Sequence, residues 1–112
     1  MFNWFSSKEV DKFSDWLAAE LIKRYPPTGV DTDWKKATQR LMKVHDSLFL
    51  RVEAFGRENL LNLYQRARLG NRIKWALREA GYPLSFSETF THEVVTVVTL
   101  MNSRARKAAQ KG

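Results

Sequence analysis

Along most of this chain, apolar residues recur every three or four positions, the spacing of one helix face. The first such stripe is Val10, Phe13, Trp16, Leu17 and Leu21. Ser6-Ser7-Lys8-Glu9 precedes it and matches a capping box, with Phe5 and Val10 at the two staple positions. Pro26-Pro27 and Gly29 stop the stripe, so a helix is expected over about 7–25.

A second stripe starts behind Asp31, Thr32 and Asp33, residues that favour a helix N-terminus. It runs through Trp34, Ala37, Leu41, Val44 and Leu48. After a slip of one place, Val52, Phe55, Leu60, Leu63, Tyr64 and Ala67 carry it on. Unbroken from 32 to 69, this helix would be roughly 57 Å long. A compact domain of about 100 residues has a radius of gyration near 13 Å. Such a rod would project past its own globule, so it either breaks near Gly56 or Gly70 or has its projecting part covered by a partner. The expectation is a long central helix, about 32–69, with a kink or break open at either glycine.

Ile73, Ala76, Leu77 and Ala80 form a further helical set. Gly81 ends it, with Tyr82 placed to pack back and Pro83 blocking continuation. Whether 72–80 is a separate helix is left open at this level. Ser85-Phe86-Ser87-Glu88 is a second capping-box match. Behind it, Phe86, Phe90, Val94, Val97, Val98 and Met101 share one helical face. Eight of the eleven residues from 89 to 99 are Thr or Val, which favours a strand. Alternation fails at Val94-Val95 and Val97-Val98, however, so helix is the reading, to about 106. Residues 107–112 are expected as a basic flexible tail on a single domain, 1–106. The fold class is all-α: a small bundle of three to five helices around one long central helix.

Composition narrows the function classes. A chain of 112 residues, 44% apolar and 28% charged, suits one globular domain. It has no cysteine, which removes disulfides and thiolate chemistry. The longest apolar run, Val94 to Met101, is far short of the roughly 18 residues that span a bilayer. The start lacks a secretory pattern, and a cytoplasmic location is expected. Phe2, Trp4 and Phe5 are residue types that favour a bilayer interface, but covering the end of a helical core is the preferred role for them. A membrane surface therefore ranks last among the partners.

No catalytic motif is present. There is no G-x-S-x-G, no phosphate-cradling glycine loop and no H-E-x-x-H. The two histidines, His45 beside Asp46 and His92 beside Glu93, read as boundary residues, although close packing of their helices would bring the four together. No metal, cofactor or small-molecule substrate is inferred, and the chain is read as a non-enzyme.

Charge carries the most information. The formal net charge is +7, and residues 34–83 hold eleven bases against four acids. Lys36, Arg40 and Lys43 share a helix face. They lie near a helix N-terminus, where the dipole disfavours cations. A second group, Arg66, Arg68, Arg72, Lys74 and Arg78, contains no acid, and Tyr64 and Trp75 lie beside or among its bases. Three readings follow, in order: a solvated face partly paired with Asp11, Asp15 and Glu20; contact with an acidic protein partner; and contact with nucleic-acid backbone. The leading function is a non-catalytic interaction module working by self-association or through an acidic protein. The alternative is a phosphate-backbone binder using the same bases.

Overall fold

Four helices carry these stripes: α1 (Asn3–Arg24), α2 (Trp34–Glu58), α3 (Leu63–Ala80) and α4 (Leu84–Lys111). The computed structural model describes residues 3–27 and 34–111, and side chains within 7–27 and 41–109. No strand occurs among the described residues, and the Thr/Val-rich segment 89–99 is helix throughout.

Both serine capping boxes are misplaced as helix starts. The backbone is already helical from Asn3, so Ser6 lies inside α1. Serine costs a helix interior only a few tenths of a kcal/mol, so the pattern does not force a boundary. At the other site α4 begins at Leu84, behind Pro83, and the Ser87 hydroxyl donates back to the Pro83 carbonyl at 3.0 Å. At its far end α4 runs through Lys111, so residues 107–111, expected as a tail, continue the helix.

The long central helix of 32–69 does not form. α2 ends at Glu58 and α3 begins at Leu63, so the chain breaks at 59–62, just past Gly56, which is one of the two places left open for a break. Its cause is a set of amides. Asn62 is the N-cap of α3: its side chain accepts from Gln65 N at 2.8 Å, and the Gln65 side chain accepts from Asn62 N at 2.9 Å. Asn102 of α4 is 1% exposed and serves the unpaired backbone of the corner. It accepts from Leu61 N at 2.9 Å and donates to the Asn59 carbonyl at 2.8 Å and to the Gly56 carbonyl. Gly56 instead permits close packing, because a Cβ there would lie 2.8 Å from Met101 Cβ and 3.1 Å from Val98 Cα. Gly70 lies within α3, facing Val95 and Thr91 of α4.

The end of α3 follows the expected stop. Gly81 is left-handed, with φ 107°, and Tyr82 N donates to the Leu77 carbonyl at 3.1 Å. Tyr82 then turns inward, 2% exposed, and its hydroxyl donates to the Tyr25 carbonyl at the end of α1. Burial pushes its phenol up to about 12, with the neighbouring Tyr25 adding to the rise.

Helix directions follow from the cross-contacts. Asp11–Arg68 and Asp15–Arg72 advance together, so α1 and α3 are parallel. Phe49 meets Phe90 and Gly56 meets Val98, so α2 and α4 are parallel as well. Leu17, Leu21, Leu48, Val52, Leu69, Ile73, Leu77, Phe90, Val94 and Val98 fill the shared core. The consecutive helices α2 and α3 sit diagonally and do not pack on each other. The α1–α2 side is thinly packed, held by Phe13 stacked on Phe55 at 4.2 Å and Arg51 over the Trp16 ring at 5.2 Å. The molecule measures 51 × 26 × 19 Å. A 25-residue α2, about 38 Å long, fits within that length, so no projecting rod demands a covering partner.

Candidate interaction surface

The basic residues singled out by sequence divide into several environments. Lys36 and Arg40 lie outside the residues whose side chains are described. Lys43 is exposed on α2, diagonally across the bundle from α3, and so lies apart from the α3 bases.

Within the α3 group, two arginines are spent on α1. Arg68 forms a fork on Asp11, with Nε to Oδ1 at 2.7 Å and Nη2 to Oδ2 at 2.8 Å. Its Nη1 also reaches the Tyr64 hydroxyl at 3.2 Å. Those hydrogen bonds from Arg68 hold the Asp11 carboxyl below its usual range against the opposing effect of burial, helped by the charges of Arg72 and Arg68. Arg72 places Nη2 at 2.9 Å from Asp15 Oδ2 and Nε at 3.5 Å from Asp11. The expected pairing with α1 acids is therefore present for Asp11 and Asp15, while Glu20 pairs with Arg24 on its own helix at 2.9 Å. Arg78 is used at the helix end, donating to the Tyr82 carbonyl at 3.0 Å.

Arg66 and Lys74 remain. They lie toward α4, away from the α1 acids, and neither forms an ion pair among the described residues. Lys74 sits 5.5 Å from the Trp75 ring, and that indole is 59% exposed. Between Arg66 and Lys74 opens a groove of about 430 Å³, walled by α3 and α4. Leu63, Ala67 and Gly70 form its α3 wall; Thr91, Val95, His92 and Glu88 form its α4 wall. Thr91 Oγ1 is buried there without a hydrogen-bond partner among the described residues. Small residues leave the trough open, and Arg66 and Lys74 against the one carboxylate of Glu88 leave its rim net cationic.

Sequence did not reveal this groove, because it depends on the register of α3 against α4. The histidines separate. His45 stacks on Phe49 at 4.1 Å and its Nε2 lies 2.8 Å from Glu93 Oε2 across α2 and α4, with Asp46 at 3.7 Å from Nδ1. His92 instead lines the groove. Among the described residues no group of three or more His, Cys, Asp or Glu side chains is placed to hold a metal ion. No described helix is long and apolar enough to cross a membrane. The side chains of Phe2, Trp4 and Phe5 lie outside the described residues.

Comparison with protein-family models, with curated proteins and with solved structures finds no match to this chain.

Proposed function

We propose that this chain is a non-catalytic helical binding module that takes an acidic segment of a partner protein into the α3–α4 groove. One observation carries the reading. On a single helix, the arginines facing α1 are neutralised by carboxylates, while Arg66 and Lys74, facing the groove, have no carboxylate partner among the described residues. An apolar trough with unpaired cations on its rim suits an amphipathic helix whose small apolar side chains enter the trough and whose acids reach the rim. Exposed Leu63, at one end of the trough, adds apolar area for such a segment.

The nucleic-acid alternative has less support, since Arg68 and Arg72 are held by Asp11 and Asp15 and the basic run along α3 is interrupted. Self-association has lost its motive with the projecting rod.

The test is titration of a labelled synthetic helix bearing an Ala/Leu stripe flanked by glutamates, followed by anisotropy. Binding should weaken by about thirtyfold in Lys74→Glu, given that a rim charge pair is worth roughly 1 kcal/mol and reversal doubles the effect. A lysine-flanked version of the same helix should not bind. Equal affinity for the native and charge-reversed proteins would reject the reading.

A further inference from the structure

The corner between α2 and α3 holds a second arrangement, adjoining the groove and sharing Arg66 and Leu63 with it. Arg66 Nη1 donates to the Leu61 carbonyl at 3.3 Å, and Arg106 Nη2 reaches the same oxygen from α4 at 3.4 Å. Two cations thus converge on one backbone oxygen. Both bonds are long for charge-assisted contacts. Neither arginine has an ion-pair partner among the described residues, and Glu58, the last residue of α2, pairs with neither. A carbonyl supplies only a partial charge, so the pair is left with positive charge and planar donor forks suited to a phosphate oxyanion.

Apolar side chains surround this pair. Leu61 is fully buried, but its neighbours turn outward: Leu60 is 49% exposed, Leu63 76% and Tyr64 65%. Arg104 and Lys107, exposed on the adjoining turns of α4, add further cations to the same end of the molecule.

We infer that the α2–α3 corner docks on an anionic bilayer. Arg66 and Arg106 take lipid phosphate, while Leu60, Leu63 and Tyr64 enter the boundary between headgroups and acyl chains. The mixture favours a membrane over a polynucleotide. Two of the three exposed side chains are aliphatic and offer no ring for a base to stack on. The next guanidiniums along α3 are already held by Asp11 and Asp15, so a nucleic-acid backbone would find no continuing track. A bilayer needs only a compact patch. The corner shares Arg66 and Leu63 with the groove, but Leu60 and Arg106 do not line it, so substitutions at those two positions test the membrane contact apart from the acidic partner.

The experiment is co-sedimentation of the full chain with phosphatidylcholine vesicles, with and without phosphatidylserine. Partition to the phosphatidylserine vesicles should be stronger by about tenfold or more, and Arg106→Ala should weaken it about fivefold. Leu60→Ser should weaken it by a similar factor through lost apolar insertion, about fivefold or more. Both positions are on the surface, and circular dichroism of each variant checks that the helices are retained. Trp75→Ala and Lys43→Ala, away from the corner, should bind as the native chain does. Equal partition to both vesicle types, or indifference to both corner substitutions, would overturn the inference. So would loss of binding in inorganic phosphate at constant ionic strength combined with indifference to Leu60→Ser, which would mark a free-phosphate site. Binding to single-stranded RNA that fails in Arg106→Ala but ignores Leu60→Ser would likewise overturn it in favour of nucleic acid.

Discussion

Replacing Asn102 with leucine should cost this domain about 3 kcal/mol, because three backbone groups at the α2–α3 corner depend on that one amide. Leu61 N–H and the Gly56 carbonyl are in buried contacts with it, and the Asn59 carbonyl is partly buried. An unmade hydrogen bond at a buried group costs roughly 1–3 kcal/mol, and one at a partly wet group about 1 kcal/mol or less. The sum before compensation is about 2–7 kcal/mol, and the added apolar burial of leucine returns roughly 1–2 kcal/mol, which leaves a central value of about 3 kcal/mol. For a small domain whose total stability is about 5–15 kcal/mol, the loss is large. Urea unfolding followed by circular dichroism reads it directly, as a lower midpoint at unchanged slope. A loss under about 1 kcal/mol would refute the claim that Asn102 secures the break between α2 and α3. A lowered slope would instead indicate that the corner had reorganised.

Other outcomes follow from the same contacts. Asn62→Ala removes the N-cap of α3 and should lower stability by about 1 kcal/mol in the same urea assay. Gly56→Ala should be destabilising by roughly 1–2 kcal/mol, since its methyl meets Met101 Cβ and the α4 backbone and overpacking outweighs the gain in helix propensity. Gly70→Ala, which meets only the ends of Val95 and Thr91, should cost less than Gly56→Ala in a side-by-side thermal melt. The Asp11–Arg68 pair should give a pH signature. Asp11 has a folded-state pKa below its unfolded value, so its contribution is present above the ordinary carboxylate range and fades as pH falls through the depressed value. The stability gap between native protein and Arg68→Met, measured by urea midpoint, should therefore exist at neutral pH, close in acid and shrink with added salt.

The helical stripes were legible because each buried face repeats locally. Leu17, Leu21, Phe90, Val94 and Val98 are buried where their spacing placed them. The Gly81 stop was legible for a similar reason: a left-handed residue followed by Tyr82 and Pro83 is a local signal. The exact break at 59–62 was not, because apolar Leu60 and Leu63 continue the spacing of the stripe. Asn62 followed three residues later by Gln65 was the available sign, an N-cap with an amide at the third position. Asn102 was beyond local reading, since it serves the corner from another helix. At the surface, pairing of α1 acids with part of the basic group was anticipated. Which arginines they would take, and which cations would be left beside the groove, required the parallel register of α1 on α3.

The diagonal placement of α2 and α3 has a consequence for how the chain becomes a protein during synthesis. α1 and α2 emerge first, yet they pack thinly on each other; α1 rests mainly on α3, and α2 on α4. Neither early segment has its principal support until the second half leaves the ribosome. The antiparallel pair α3–α4, joined by a three-residue turn, is the part with the nearest partners in sequence. Assembly is then expected to begin at the carboxyl end, with the two earlier helices settling onto opposite sides of a hairpin translated after them.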